Sequence, residues 1–294
     1  MKTNKVYLLI PIYNDWKSLN KLLNKIDKKT NIKKSNFYIL IINDCSTEIN
    51  EKRKYRFKNI KSIKIINLKK NVGHDRAVAV GLRILQKNFY FDYVITMDAD
   101  GEDNPIYISN FLEKIKDNQN TIVVAKRKKR SVSLAFKILY FFHLIIFFIF
   151  SGKWLNFGGF NCLTRLAVTN LLKEKTIWGN YSGTIANSKV KIKFLDANRS
   201  KRYFGPSQMN YFKLFLHSLS ILSVFKKNIF LLSSLLIFIN LLIVSMHNSL
   251  IFYMPTIILI FLNLFILAMS KRENVSWIKN INKNIFHITK LFNK

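Results

Sequence analysis

The stretch Tyr93–Pro105, YVITMDADGEDNP, runs from a short apolar segment into a cluster of acidic residues. The apolar segment Tyr93–Met97 predicts a buried strand that ends where the acids begin. Two carboxylates separated by one residue, as in Asp98 and Asp100, can share a hard divalent cation, and Mg²⁺ suits them because it prefers oxygen ligands and bridges substrate phosphates. Glu102 continues a group of four acids within six residues. Such a group is electrostatically costly without a cation, which favours a metal site here.

Buried strands and amphipathic helices alternate on either side of this stretch. The predicted strands are Val6–Ile12, Phe37–Ile42, Ile60–Leu68, Tyr93–Met97 and Thr121–Ala125, and the predicted helices are Trp16–Asp27, Asp75–Gln86 and Pro105–Lys116. This alternation predicts an α/β fold with a mostly parallel sheet that helices cover on both faces. Ligands bind such sheets at the carboxyl ends of the strands. Asp15, Asp44, Asp98 and Asp100 all follow predicted strands, so we expect a single site there.

Apolar residues make up 49% of the 294-residue chain, and the long apolar runs lie in its second part. The runs Ile229–Met246 and Leu250–Met269 each approach the roughly 20 residues that a membrane-spanning helix needs. Lys and Arg flank this pair but are absent from the turn between the runs, which by the positive-inside rule places both flanks in the cytoplasm. We therefore expect a multi-pass protein of the cytoplasmic (inner) membrane, with its catalytic domain on the cytoplasmic face.

The expected division is a cytoplasmic domain over residues 1–225, a transmembrane hairpin over 226–272 and a basic cytoplasmic tail over 273–294. The first of these includes two apolar stretches, about 133–150 and 207–225, that are interpreted as helices lying on the membrane surface. The first stretch could span a bilayer, but a third span would place a Lys- and Arg-rich segment outside, against the positive-inside rule. The chain starts without a signal peptide, which also favours the cytoplasm.

The formal net charge is +32, and 13 of the 16 acidic residues lie within residues 1–117. Such a basic surface attracts anionic lipid or nucleic acid. Most aromatic residues lie in apolar stretches rather than among exposed basic residues, which argues against a nucleic-acid-binding protein and favours an anionic membrane as partner. Neither of the two cysteines, Cys45 and Cys162, has the spacing of a metal site or of a disulfide framework.

Several motifs together resemble those of family 2 glycosyltransferases with the GT-A fold, in particular dolichol-phosphate mannose synthases and bacterial polyprenyl-phosphate glycosyltransferases. The resemblance rests on Ile10–Asp15, Asn43–Ser46, Asn71–Gly73 with Ala77 and Gly81, Met97–Pro105, Arg127, Arg130, and Arg202 with Gly205 and Ser207. It implies an inverting transfer of a sugar from a nucleotide-diphosphate donor to a membrane polyprenyl phosphate of the undecaprenyl or dolichyl type. The product would be a lipid-linked sugar for envelope glycan synthesis.

The same resemblance implies roles for the motif residues. The nucleotide-sugar donor would be bound by Pro11, Tyr13, Asp15, Asp44, Asn71, Asp98 and Asp100. Mg²⁺ or Mn²⁺ would be held by Asp98, Asp100 and Glu102, with Glu102 in the place of the family's Gln. The acceptor phosphate would be bound by Arg127, Arg130 and Arg202, because arginine binds phosphate bidentately, and these arginines with Asp100 would carry catalysis.

Two departures from the family pattern concern the acceptor. Gly159 and Asn161 stand where many relatives carry Asp and Arg, and Ser207-Gln208 stands where relatives usually carry Ser-Lys. The departures imply different acceptor handling, or an inactive membrane-associated relative with a scaffolding role.

The supply of general bases separates two kinds of acceptor. A hydroxyl on a lipid or glycan would need a base, whereas an ionised phosphate needs none. Beyond residue 117 only Glu174 and Asp196 precede the predicted spans as candidate bases, although Asp103 could also serve a hydroxyl. This scarcity favours the phosphate. His74, His143 and His217 are interpreted as structural or interfacial, and a homo-oligomer is left open.

Overall fold

The computed structural model describes residues 3–32, 34–48, 55–116, 119–127, 144–145, 147–152, 156–205, 211–246, 250–271, 273, 280, 283 and 285–293. The strands are β1 (Asn4–Ile12), β2 (Ser35–Asn43), β3 (Ile60–Leu68), β4 (Tyr93–Thr96), β5 (Thr121–Arg127), β6 (Phe157–Thr164), β7 (Lys191–Ala197) and β8 (Ile285–Asn293). The helices are α1 (Trp16–Lys29), α2 (His74–Asn88), α3 (Ile108–Ile115), α4 (Arg165–Leu171), α5 (Tyr181–Asn187), α6 (Tyr211–Ser223), α7 (Lys226–Ser245) and α8 (Met254–Ser270). Short 3₁₀ turns occupy Pro105–Tyr107, Lys175–Trp178 and Leu250–Tyr253.

The strands form one mixed sheet in the order β7-β5-β6-β4-β1-β2-β3-β8. The neighbours β4, β1, β2 and β3 are parallel, as are β5 and β7. Strand β6 lies antiparallel between β4 and β5, and β8 is antiparallel to β3. The expected α/β class with a mostly parallel central sheet is confirmed.

Alternating side chains of the central strand pack into two apolar layers. Leu8 and Ile10 of β1 lie on the face that α1 and α3 cover, and Leu9 lies on the face that α2, α4 and α5 cover. All three side chains are fully buried, as expected for a parallel strand with helices on both sides. Helix α2 approaches the sheet closely at Gly81, where an added Cβ would lie 2.3 Å from Cδ1 of Leu9. This close approach places the start of α2 beside the end of β4.

The structure corrects the sequence interpretation of the C-terminal segment. Residues 273–294 were expected to form a tail, but Ile285–Asn293 pairs with β3 from Ser62 opposite Asn293 to Leu68 opposite Ile285. The physical reason is the exposed edge of β3, whose unpaired backbone groups gain partners from an added strand. Strands β6 and β7 were also not predicted, and the predicted helix Pro105–Lys116 begins as the 3₁₀ turn.

Two consecutive helices are long and apolar enough to cross a membrane, Lys226–Ser245 and Ile251–Ser270, with mean hydropathies of 2.3 and 2.4. Most of their large apolar side chains are exposed, unlike those of a core helix in a soluble protein. Nζ of Lys226 lies 2.8 Å from Oε2 of Glu273, so the start of the first helix and the end of the second are adjacent. The pair therefore forms a hairpin.

Several sequence predictions near the membrane fall outside the described residues. These are Arg130, the turn 247–249, residues 206–210, and most of the stretch 133–150, of which residues 144–145 and 147–150 are described and helical. Helix α6 corresponds to the other stretch predicted to lie on the membrane surface, and it exposes Phe212 and Phe215.

Replacement of Phe292 by Ala is expected to lower the free energy of unfolding by roughly 2 kcal/mol, because the ring leaves the apolar layer beside α1. The ring centroids of Phe292 and Phe57 are 5.4 Å apart, in an edge-to-face contact. Ile288→Ala is the matched control on the same strand, since its side chain is 58% exposed, and we expect a change of about 0.5 kcal/mol or less. Thermal denaturation in detergent measures both. Equally small effects would show that β8 does not pair with β3 in solution.

Candidate active site

The carboxyl ends of β1, β2 and β4 meet at one edge of the sheet, as parallel pairing requires. Asp15 follows β1, Asp44 follows β2, and Asp98 and Asp100 follow β4. The loop after β3 adds the segment Asn71–Gly73, which leads into α2. These loops therefore lie on one edge of the sheet, and their common role as a binding site stays a prediction.

Internal hydrogen bonds fix the acidic loop after β4. The backbone N–H of Asp98 donates to Oδ2 of Asp103 at 2.9 Å, and the N–H of Glu102 donates to Oδ1 of Asp100 at 2.9 Å. Gly101 has a φ of +89°, a conformation that residues with a side chain rarely adopt. Asp103 is 6% exposed, so it serves the loop from inside. Its carboxylate is poorly placed to act as the base for a hydroxyl acceptor.

Each of the three other carboxylates of this loop, those of Asp98, Asp100 and Glu102, has a basic partner. Nε2 of His74 lies 2.7 Å from Oδ1 of Asp98. Nη1 of Arg202 donates to Oδ2 of Asp100 at 2.8 Å. Glu102 pairs with Arg199.

The two arginines come from the segment after β7, which lies directly along the acidic loop. The N–H of Ser200 donates to the carbonyl of Glu102 at 2.9 Å, and the N–H of Tyr203 donates to the carbonyl of Asp100 at 2.8 Å. The ring of Tyr203 covers Gly101 so closely that an added Cβ would lie 2.4 Å from its Cζ. Two backbone hydrogen bonds and one ring contact thus hold the segment, including Arg202, against the acids.

The electrostatics of the loop show how crowded the negative charge is. Burial raises the pKa of Asp100 to about 6, together with the negative charges of Asp98 and Glu102. The backbone N–H of Glu102 and the positive charge of Arg202 act in the opposite direction. Desolvation lowers the pKa of His74, but Asp98 and Asp75 outweigh it and hold that pKa well above its usual range. Asp100 therefore ionises at a cost that a cation would relieve, whereas the carboxylates of Asp98 and Asp75 favour the protonated form of His74.

Asp44 supports the donor side of the site from within the protein. Its two carboxylate oxygens accept the N–H groups of Val72 at 2.7 Å and Gly73 at 2.8 Å. Burial raises the pKa of Asp44, while these two hydrogen bonds lower it in part. The carboxylate therefore orders the turn that carries Asn71 and leads into α2. The predicted hydrogen bond from Asp44 to a base or ribose stays a prediction.

A chain of amide side chains links the C-terminal strand to the donor loops. Asn67 donates to the carbonyl of His287 at 3.3 Å and accepts a hydrogen bond from Asn43 at 2.8 Å. Asn43 in turn accepts the N–H of Ser46 at 3.0 Å, and the hydroxyl of Ser46 accepts the N–H of Asn14 at 3.0 Å. This series of hydrogen bonds ends at Asn14, between Tyr13 and Asp15, so β8 helps to order the loops after β1 and β2.

The predicted arginines are placed differently from one another. Arg202 lies against Asp100 and, at 3.8 Å from Nη2 to Oδ2, against Asp15, so it joins the two loops assigned to the donor. Arg127 ends β5, but its side chain and the whole of Arg130 lie outside the described part of the structure. Their role at an acceptor phosphate stays a prediction. Pro11 is buried, and Tyr13 and Asn71 are exposed at the site edge.

Sequence interpretation missed His74 and Arg199, which contact the carboxylates of Asp98 and Glu102. The signal for His74 was its position directly after the turn glycine Gly73, between a strand and a helix, where ligand-binding residues concentrate. Arg199 carried no local signal, because its partner is 97 positions away in the chain.

The residues fit a divalent ion at Asp98 and Asp100 only in part. Both carboxylates follow β4, and burial together with the charges of Asp98 and Glu102 raises the pKa of Asp100. In the part of the chain that the structure describes, no three His, Cys, Asp or Glu side chains are arranged to hold a metal ion. Glu102, the predicted third ligand, is paired with Arg199. A donor diphosphate and water would have to complete the coordination, as is common for Mg²⁺.

Asp100→Asn is expected to stabilise the ligand-free protein at about pH 7.5. The folded pKa of about 6 exceeds the ordinary value of 3.8, so the stability that Asp100 contributes is present below 3.8 and is lost as the pH rises through 6. A neutral side chain of the same shape avoids that loss, and the gain should shrink as the pH falls toward about 4.5.

Differential scanning calorimetry of both proteins over this pH range measures the effect. The exposed Glu113 on α3 provides the control, since Glu113→Gln should leave the pH dependence unchanged. A melting temperature of Asp100→Asn below that of the wild type at neutral pH would show that Arg202 stabilises the carboxylate more than burial and its acidic neighbours destabilise it.

Several known proteins are similar to this chain in sequence. The chain is 25% identical over 221 residues to an uncharacterized glycosyltransferase of Synechocystis sp., covering 72% of this chain and 66% of that protein. It is 24% identical over 222 residues to an undecaprenyl-phosphate 4-deoxy-4-formamido-L-arabinose transferase of Proteus mirabilis, covering 72% and 65%. A dolichol-phosphate mannosyltransferase of Pyrococcus furiosus is 28% identical over 123 residues, covering 42% and 33%. The chain thus spans just under two thirds of the length of the first two relatives.

Solved structures share the fold. Mannosyl-3-phosphoglycerate synthase from Rubrobacter xylanophilus matches with a TM-score of 0.52 at 14% identity, over 75% of this chain and 72% of that one. Glucosyl-3-phosphoglycerate synthase from Mycobacterium tuberculosis, in complex with Mn²⁺ and UDP-glucose, matches with a TM-score of 0.52 at 10% identity, over 76% and 79%. These likenesses confirm the GT-A fold. The model of glycosyl transferase family 2 matches residues 7–170. The chain therefore belongs to glycosyl transferase family 2.

Proposed function

We propose that this protein transfers a sugar, with inversion, from a nucleotide-diphosphate donor to a membrane polyprenyl phosphate. The observation that carries the proposal is the row of carboxylates at the end of β4, Asp98 and Asp100, facing the basic side chains of His74 and Arg202. Acidic groups for a cation and basic groups for phosphate lie side by side there. A diphosphate and its divalent counterion need both.

On the donor side, Asp98 and Asp100 would hold Mg²⁺ or Mn²⁺. Bound there, the ion would neutralise charge on the departing diphosphate. Arg202 bridges the loops of Asp15 and Asp100, and its guanidinium is placed to bind diphosphate oxygens once a donor enters. The turn that Asp44 orders would carry Asn71 to the nucleotide.

In the reaction, an acceptor oxygen attacks the anomeric carbon from the side opposite the diphosphate. A new carbon–oxygen bond forms to the acceptor, and the bond to the nucleoside diphosphate breaks with its electron pair. A phosphate acceptor is already ionised and loses no proton. The burial of Asp103 favours this acceptor over a hydroxyl, because the nearest predicted base is turned into the loop.

The position of β8 supports a particular membrane topology. The catalytic sheet precedes the α7–α8 hairpin, and β8, which follows it, pairs with β3 of the same sheet. The chain must therefore cross the bilayer an even number of times between them. A hairpin that spans twice satisfies this condition, and it agrees with the cytoplasmic placement of the basic flanks.

The names of two relatives support the acceptor class. One is named for undecaprenyl phosphate and the other for dolichol phosphate. The Mn²⁺ and UDP-glucose in a structure of the same fold support a nucleotide-sugar donor and a divalent ion. Transfer to a hydroxyl of a lipid or glycan is the alternative activity, and an inactive scaffold is the alternative to an enzyme.

Purified full-length protein with Mn²⁺ and a panel of nucleotide-sugars is expected to label undecaprenyl phosphate and not undecaprenol. Asp100→Ala should lower the rate by about 100-fold or more, because the diphosphate loses a cation ligand. Glu113→Gln, an exposed acid on α3, should keep the wild-type rate. Chromatography of radiolabelled lipid products measures all three.

Other outcomes would redirect the proposal. Labelling of undecaprenol alone would replace the phosphate acceptor by a hydroxyl, and full activity of Asp100→Ala would refute the metal assignment. A wild-type protein that labels neither lipid with any donor would contradict the enzymatic proposal and support the scaffold.

A further inference from the structure

We propose that His74 is a positioning residue for the donor. Its imidazole holds the carboxylate of Asp98 in place, and the ring lies in space that Gly159 leaves open. The inference rests on the proposed function and adds a residue that lies outside the motifs named above. His74 itself need not touch the donor.

The contact between His74 and Asp98 is short and well defined. Nε2 lies 2.7 Å from Oδ1 of Asp98, within the range of a charge-assisted hydrogen bond. Side-chain exposures of 48% and 28% show that the pair lies at the protein surface and not in the core. A surface ion pair of this kind adds little to folding stability, so its value lies in where it puts the carboxylate.

The other ring nitrogen of His74 is also oriented. Nδ1 lies 3.9 Å from Oδ1 of Asp75, the next residue of α2. Asp75 is in turn fixed by Nδ2 of Asn180, which donates at 3.2 Å to its other oxygen. His217 of α6 faces that same oxygen at 3.9 Å. The imidazole is thus held between two carboxylates, with Nε2 directed at Asp98.

The backbone beneath His74 is equally constrained. His74 is the first residue of α2, and the two preceding N–H groups are bound by the buried carboxylate of Asp44. The close packing of α2 on the sheet at Gly81 sets the height of the helix start. The ring therefore starts from a fixed Cα, which a positioning role requires.

Gly159 on β6 faces the His74–Asp98 pair. A Cβ added at this glycine would lie 3.6 Å from Cε1 of His74 and 3.9 Å from Oδ1 of Asp98. These are ordinary van der Waals distances, so a methyl group fits but a larger side chain would enter the volume of the pair. β6 is held in register against β4, with Asn161 opposite Thr96, so it cannot easily move away.

With Oδ1 bound to His74, the orientation of the Asp98 carboxylate is fixed. Residues that orient the ligands of a metal or substrate typically change affinity or activity about 10- to 100-fold when they are removed. Loss of His74 should therefore act through the donor and leave the acceptor largely unaffected.

The test compares four variants of the full-length protein: His74→Ala, His74→Gln, Gly159→Ala and Gly159→Val. His74→Ala should lower kcat/KM for the donor about tenfold or more, with the KM for undecaprenyl phosphate unchanged. His74→Gln keeps an N–H donor and should recover part of the loss. Gly159→Val should resemble His74→Ala, and Gly159→Ala should lose clearly less.

A second readout does not depend on turnover. Binding of UDP and GDP in the presence of Mn²⁺, measured by calorimetry, should weaken in His74→Ala and Gly159→Val in the same order as kcat/KM. Unchanged donor kinetics and binding in His74→Ala would overturn the inference, as would equal losses in the two Gly159 variants. If His74→Ala fails to fold, the remaining three variants decide by the same criteria.

The failure of this inference is distinguishable from failure of the proposed function. A wild-type protein that transfers sugar normally while the His74 variants match it refutes only the positioning role. A wild-type protein that neither transfers sugar nor binds UDP or GDP with Mn²⁺ refutes the donor site and, with it, this inference.

Discussion

The accumulation of negative charge at the end of β4 is the constraint on which the rest of the site depends. Asp98, Asp100 and Glu102 project from one tight loop, and the pKa of Asp100 near 6 reflects burial together with that crowding. Like charges this close are tolerated only when positive charge lies next to them. The protein supplies it from two directions, with His74 from the start of α2 and two arginines from the segment after β7.

Under the proposed function, the site has two states that differ in charge partner. Without ligand, the carboxylates are paired with basic side chains of the chain itself. With a donor diphosphate and a divalent ion, the same carboxylates would bind the ion and the same basic groups would lie next to phosphate. Binding would then exchange partners and would not leave charges unpaired. Such an exchange would change the contacts of the segment after β7, which the N–H groups of Ser200 and Tyr203 hold against the acidic loop.

The central strands and the acidic loop were predicted from local sequence. The strands and site residues that were missed share a common cause. The apolar runs ending at Ile12 and Ile42 and before Asp98 were predicted as parallel strands because each is short, apolar and closed by polar residues. The acidic loop was found for the same reason. β6 was missed because Gly158-Gly159 near its start weakens the strand pattern. β8 was missed because its partner β3 is more than 200 residues earlier in the chain. His74 and Arg199 were missed because only the folded chain brings them to the carboxylates.

The central claim is that Asp98 and Asp100 bind a divalent ion together with a nucleoside diphosphate. Electron paramagnetic resonance of Mn²⁺ with the purified protein measures this directly. The account predicts weak Mn²⁺ binding by the protein alone, because its carboxylates are already paired. It predicts strong Mn²⁺ binding when UDP or GDP is added. The double variant Asp98→Asn, Asp100→Asn should lose this nucleotide-dependent binding. Nucleotide-dependent Mn²⁺ binding that is undiminished in the double variant would contradict the account.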